Sequence, residues 1–496
     1  MVKQHRFFVV FIFLFLTACA PLWVSRIPAS FERPQRCQQF FDRLDEAVED
    51  AGVRDASSFS VPGFPYLRTD RFLAAFVKDI RDEEKKKQWV HLMQELDLNS
   101  REKEVRNLPD EKVLSLMAKE GGALDRDRLI RQTRSCSSEL LVNDQRRPEF
   151  YETLYPLVHV PDEYSFLMRT AGFYPLVSLP VAVVTKNAQR KIRSWYEASL
   201  DTLPVDGQLT HFGPLNRSVL SEDEIQRMIE ESRGNPAGIP LLDPGKQEKL
   251  VLAFAPVFIQ DVSAPYDRIG RMAWRGNRPE VVPEEPAVYY YISYALLKGE
   301  PILQINYVLW YPERAGERSP RIERGQIDGL TVRISLDGQG KPFVVDIINN
   351  CGCYHLFAPD KERIDGLVSR AFQLDPFVPQ SLPAISSGQS LGVRINSGWH
   401  QVQRIIAVED APSSLSYQLL PYDSLEVLPH EDGRTESVFD GKGIVKDTRR
   451  VERFVLFSMG IPSVGSMRQR GHHAIELIGR VHFDDPYLFE KSFVWR

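Results

Sequence analysis

From Thr69 to Leu96, large apolar residues return at helical intervals: Phe72, Phe76, Ile80, Trp89, Met93 and Leu96. Recurrence every three to four positions gathers them on one face and predicts helix, with Glu83–Lys87 as a charged turn within the stretch. The charge run Asp82–Lys87 reads as a solvated face. Pro109 opens another short helix, because the N–H that proline lacks is not needed in a first turn. Ser221-Glu222-Asp223-Glu224 has the form of a capping box and predicts the helix Glu222–Arg233.

Past Pro236–Pro244 the pattern changes. Leu250–Ile259, Ala287–Leu297, Ile302–Trp310 and Leu330–Leu336 are short apolar runs. Val288-Tyr289-Tyr290-Tyr291-Ile292 is branched and aromatic, which suits a pleated surface. Asp337-Gly338-Gln339-Gly340, between Leu330–Leu336 and Pro342–Ile348, predicts a hairpin. Gln403–Val408, Leu415–Leu420 and Val451–Phe457 read as further strands, with Asp360–Phe372 as a helix among them. The expected fold class is α+β: a helical N-terminal region followed by a β-rich, mainly antiparallel C-terminal region. The expected division is a mainly helical domain over residues 36–240 and a β-rich domain over 247–496. Pro21, Pro28 and Pro34 mark residues 19–35 as a tether, and no repeat is evident.

The first apolar run, Phe7–Leu16, is shorter than the about 20 residues a membrane-spanning helix needs. It follows Lys3 and Arg6 and ends in Leu16-Thr17-Ala18-Cys19. A basic start, a brief apolar core and small residues before a cut make a secretory signal. This segment resembles a bacterial lipoprotein signal peptide with its lipobox; the resemblance covers the first twenty residues alone. It implies removal of residues 1–18 and lipidation of Cys19. Ala20, where Asp would favour inner-membrane retention, resembles an outer-membrane anchor facing the periplasm. The expected partners are the membrane, through that lipid, and another envelope protein. Without residues 1–18 the chain keeps 60 basic and 67 acidic side chains, a formal charge of about −7. That balance gives no support to nucleic-acid binding.

Four cysteines remain for other chemistry. An oxidising compartment permits disulfides, and Cys37–Cys136 would staple the helical region. Cys351-Gly352-Cys353-Tyr354-His355 supports three readings. If the strand before it continues, residues 351, 353 and 355 share a side and offer two thiolates and an imidazole to zinc or another transition metal. A Cys351–Cys353 disulfide is the second reading, and two buried thiols beside an ordinary histidine are the third. The spacing departs from the Cys-x-x-Cys-His of covalent haem attachment, so none is expected.

The histidine-rich C-terminus could complete a metal site. His472, His473 or His482 could supply a ligand, with His482 the named candidate. Glu476 or Asp484 could orient an imidazole or act as the base for a metal-activated water. Neither a nucleophile elbow, nor H-E-x-x-H, nor a phosphate-binding glycine loop occurs. The expectation is therefore a periplasm-facing lipoprotein that binds a transition metal through Cys351, Cys353, His355 and His482. The alternatives are a metal-dependent hydrolase using Glu476 or Asp484, and a non-catalytic envelope component held by disulfides.

Overall fold

The structure is a computed structural model and describes residues 33–496 except 78, 79, 81, 119–123, 387 and 410–413. Cys19, the signal segment 1–18 and most of the tether lie outside the described residues. The architecture is α+β, with N-terminal helices followed by a mostly antiparallel, curled sheet.

The N-terminal helices Gln35–Ala51, Glu83–Asn107 and Arg126–Gln145 pack around a small hairpin of β1 (Phe59–Val61) and β2 (Phe64–Thr69). Cys37 and Cys136 are joined by a disulfide between the first and third of these helices. The Thr69–Leu96 stretch forms two helices. Asp70 caps Arg71–Phe76 and Asp82 caps Glu83–Asn107. An aspartate whose side chain accepts from free first-turn N–H groups starts a helix wherever it falls in an apolar period.

The main sheet has ten strands. They are β3 (Gln208–Pro214), β4 (Val257–Val262), β7 (Ala287–Leu297), β8 (Glu300–Arg314), β9 (Gly325–Leu336), β10 (Pro342–Asn349), β11 (Leu356–Pro359), β13 (Gln389–Ile395), β14 (Val402–Glu409) and β15 (Leu415–Pro421). Their spatial order is β11-β10-β9-β8-β7-β15-β3-β4-β13-β14. Smaller ribbons pair β5 (Arg271–Arg275) with β6 (Arg278–Val282), β12 (Ile364–Leu367) with β18 (Phe493–Trp495), and β16 (Leu428–Pro429) with β17 (Thr435–Glu436). β3, from residues 208–214, pairs with β4 and β15 and so joins the sheet of the later chain.

The strands β7 to β11 run as a consecutive antiparallel meander. Both faces of its centre are covered. Leu303, Ile305, Tyr307, Leu309 and Tyr311 pack with residues of the helices Tyr174–Glu197, Glu222–Ser232 and Pro244–Ala253. Val308 and Trp310 pack on the other side with Trp274, Tyr422 and Met467. Burial on both faces explains why β8 is apolar without alternation from Tyr307 to Tyr311. The tyrosines 289, 307 and 311 are core residues.

Three expected elements differ. Leu250–Ile259 is split between the helix Pro244–Ala253 and β4, because Asp243 accepts from Lys246 N–H and Pro244 opens the first turn. Asp360–Phe372 is not a helix; its centre becomes β12, drawn out by pairing with the C-terminal strand β18. Val451–Phe457 is not a strand but contains the short helix Glu452–Val455 followed by a tight turn. The capping box at Ser221 is present with both of its reciprocal bonds.

Candidate functional site

β10 stops at Asn349, and the next six residues reverse the chain into β11, which pairs back from Leu356 opposite Ile347. The reversal is closed by Gly352 N–H donating to Asn349 O at 2.7 Å and Asn349 N–H donating to Cys353 O at 3.0 Å. Gly352 has φ +90°, and a Cβ there would meet Ala474 O at 2.5 Å. Tyr354 is also left-handed, at φ +58°. The expected extended strand through Cys351, Cys353 and His355 is thus absent. A positive φ at 352 and again at 354 breaks the alternation that would have put the three side chains on one face.

The turn leaves Cys351 buried and Cys353 half-buried, neither in a disulfide. The neighbouring Cys353 and the Arg314 guanidinium lower the pKa of the Cys351 thiol, against the push of burial. Cys353 is correspondingly pushed well up by the same pairing and by burial. Arg450 and Arg468 also lie within electrostatic reach of Cys351. A thiol amid buried guanidiniums is the setting in which the nucleophilic thiolate forms.

Arg314 is itself held rigidly. It donates to both oxygens of Asp328, at 2.9 and 3.0 Å, and to Glu323 at 2.7 Å. Glu323 also accepts from Tyr354 Oη at 2.5 Å and from Trp399 Nε1 at 2.9 Å. His400, fully buried, bridges Asp328 through Nδ1 at 2.8 Å and Asp267 through Nε2 at 3.2 Å. Burial opposes its protonation, but these two carboxylates together raise its pKa.

The thiol turn lines a cavity of about 380 Å³, reached by the apolar side chains Val181, Ile192, Leu356, Phe357 and Val464. Glu452 and Glu476 line it too. Burial, Glu323 and Cys351 push the Glu452 carboxyl up to about 8. Burial does the same for Glu476, with only Arg370 pulling back, and its Oε2 has no hydrogen-bond partner. Burial thus favours the protonated form of both carboxyls.

The other candidates are distributed differently. His355 reaches the cavity wall, but its Nε2 lies 2.9 Å from Asp346 Oδ2, a carboxylate that also receives two bonds from Arg333. A carboxylate only accepts, so Nε2 carries the hydrogen. Burial lowers the pKa of this imidazole. His482 sits against Tyr164, with Nε2 3.4 Å from Glu163 N, and burial with Arg71 pushes it down to about 2. Asp484 pairs with Arg71 at 3.0 Å, and burial lifts it to about 6. His472 bonds Glu163 at 2.8 Å and Ala56 O at 2.6 Å. Among the described residues, no group of three or more histidine, cysteine or carboxylate side chains could hold a metal ion. The structure thus joins Cys351, Cys353, His355 and Glu476 on one cavity and leaves His482 and Asp484 with the helical region.

Glu452, Glu323 and Arg314 were not evident from sequence. They lie up to about a hundred positions from the thiols with no motif linking them. The one local signal was the paired cysteines. No family model, no curated protein and no solved structure matches the chain.

Proposed function

We propose that this protein is a thiol-dependent enzyme acting on acyl chains, in which the chain occupies the cavity and Cys351 attacks the carbonyl at its end. The observation that carries this reading is the meeting, on one largely apolar cavity, of the Cys351–Cys353 turn with Glu452 and Glu476. Apolar pockets with a few convergent polar groups are the usual form of small-molecule sites.

In the first step the Cys351 thiolate forms a C–S bond to the carbonyl carbon. The C–O bond to the alcohol then breaks, and protonated Glu452 gives its proton to the departing oxygen. In the second step water or another alcohol attacks the thioester, its proton passes to Glu452, and the thiolate is released. Cys353, two positions on in the same turn, lowers the pKa of the nucleophile. The Cys19 leader supports the reading, since lipidation would keep the body beside a membrane, where acyl groups are abundant.

Hydrolysis of p-nitrophenyl esters, from acetyl to palmitoyl, tests this. The rate should rise with chain length, vanish in Cys351→Ser and survive a chelator. Equal turnover in Cys351→Ser would refute it. Zinc held through Cys351 and Cys353 is the second reading, favoured by the adjacency of the two thiols. It requires activity or stability that the chelator removes.

A further inference from the structure

Above the cavity the chain carries an apolar surface of unusual extent. Phe166, Leu167, Phe173 and Leu176 are each exposed by about seven-tenths, and Leu179 and Val184 by 67%. They belong to the helices Phe166–Ala171 and Tyr174–Glu197, joined at a corner where Phe173 takes φ +51°. Single exposed hydrophobics are ordinary, but contiguous patches of this kind mark interaction sites.

The second helix changes character along its length. Tyr174–Val184 contains no charged residue, and its apolar side chains point around the helix rather than along one stripe. A helix apolar all round is normally surrounded. From Lys186 the exposed positions include four basic residues, Lys186, Arg190, Lys191 and Arg193, with Lys191 also lying over the Trp399 ring at 4.8 Å. The last two turns dock on the body, where Ile192 and Tyr196 are buried and Arg404 donates to Trp195 O at 2.7 Å.

The corner is held firmly against a second apolar segment. Arg169 donates to Met459 O at 2.8 Å, and Ser165 N–H donates to Gly460 O at 2.7 Å. Gly172 lies so close to Ser458 that a Cβ would meet its side chain at 2.4 Å. The short helix Glu452–Val455 that leads into this segment exposes Phe454 and Val455. Val181 and Val184 of the long helix, and Val455 at the end of the helix Glu452–Val455, also line the cavity. The exposed surface and the cavity are therefore continuous.

We infer that the helices 166–184 and the segment 454–457 dock into a lipid bilayer with anionic headgroups. The apolar half of the second helix enters the boundary between headgroups and acyl chains, and Lys186, Arg190 and Lys191 meet the phosphates above it. That order of apolar then basic residues is the complement of a bilayer surface read from inside outward. A protein partner would need no such ordering. Among the described residues no helix is long and apolar enough to cross a membrane, so the dock lies in the interface. It would open the cavity toward acyl chains without their crossing water.

The inference stands on the surface and not on the thiol chemistry. The chain from residue 19 onward carrying Cys19→Ser has neither leader nor acyl group, so its flotation with vesicles reports the protein surface. Binding should be stronger to phosphatidylethanolamine–phosphatidylglycerol vesicles than to phosphatidylcholine, and salt should weaken it. Adding Leu176→Glu with Leu179→Glu should lower the partition coefficient by roughly tenfold or more. Leu176→Ala with Leu179→Ala gives a smaller drop and serves should the acidic pair fail to fold, as judged by circular dichroism. Reversing Lys186, Arg190 and Lys191 to Glu should remove the preference for anionic vesicles. Cys351→Ser should float like its parent, whatever the fate of the thiol mechanism. Failure of the parent to float, or flotation of the folded leucine variants at the parental level, would overturn the inference and assign the surface to a protein partner.

Discussion

Cys351 and Cys353 stand two positions apart in a reversal that only Gly352 permits, with the Arg314 guanidinium acting on the Cys351 thiol. The pair is unequal, with the Cys351 pKa lowered and the Cys353 pKa raised. Cys351 becomes the thiolate and Cys353 keeps its proton, so the two should react differently with the same reagent.

Alkylation by iodoacetamide should show that inequality directly. The Cys351 rate should rise through pH about 7, well below an ordinary thiol. In Cys353→Ala the midpoint should move upward by about a unit or more, because the neighbour that lowers the Cys351 pKa is gone. Peptide mapping at each pH identifies the labelled sulfur. A midpoint unchanged in Cys353→Ala would deny Cys353 its role.

Two buried carboxyls should make stability fall with rising pH. Glu452 and Glu476 are held at about 8, above the usual carboxyl value of 4.5. The unfolded chain therefore loses these protons first. Their contribution is complete below about 4.5 and is lost progressively toward about 8. Glu452→Gln should flatten the decline of Tm between pH about 5 and 7, recovering on the order of 2–4 kcal/mol at the upper end. Buried histidines and Asp484 titrate in the same window, so it is the difference between the parent and Glu452→Gln that isolates the carboxyl. An identical pH dependence of Tm in the parent and in Glu452→Gln would contradict the assignment.

What the sequence revealed follows the range of the interactions. The Ser221 capping box and the β9–β10 hairpin rest on neighbours within a few positions, and both were legible. Helix Asp360–Phe372 failed because Ile364 pairs with Trp495, a partner no local period announces. The thiol pair was visible for the same reason as the capping box. Its surroundings were not: Arg314, Glu323 and Glu452 come from separate segments and meet through the sheet. His355 looked like a third ligand only while the chain was taken as extended, and two left-handed residues removed that premise.

Arg314 should be the least replaceable side chain near the site. Removing it leaves Asp328 and Glu323 buried with one guanidinium fewer. Arg314→Ala should cost about 3–5 kcal/mol, the usual penalty for breaking a buried pair from one side. Arg314→Lys should retain more stability but raise the Cys351 midpoint, since one point charge cannot repeat the three bonds. Urea unfolding and the same alkylation profile measure the two effects.

The helical region should depend on its staple. The Cys37–Cys136 bond closes a separation of 99 residues. Cys37→Ser with Cys136→Ser should destabilise that region by about 2–4 kcal/mol while leaving Cys351 alkylation nearly unchanged. Hydrogen exchange across Gln35–Ala51 and Arg126–Gln145 would localise the loss. Loss of Cys351 reactivity in this variant would mean that the helices and the thiol turn unfold together.

The central claim is that Cys351 carries the acyl group, and trapping that intermediate tests it most directly. The protein is quenched in acid during turnover of a long-chain p-nitrophenyl ester, then digested and analysed by mass spectrometry. The account predicts one acyl group on the peptide bearing Cys351, labile to hydroxylamine, absent in Cys351→Ser and accumulating faster with longer chains. An unmodified Cys351 during continuing turnover, or acylation that ignores chain length, would contradict it.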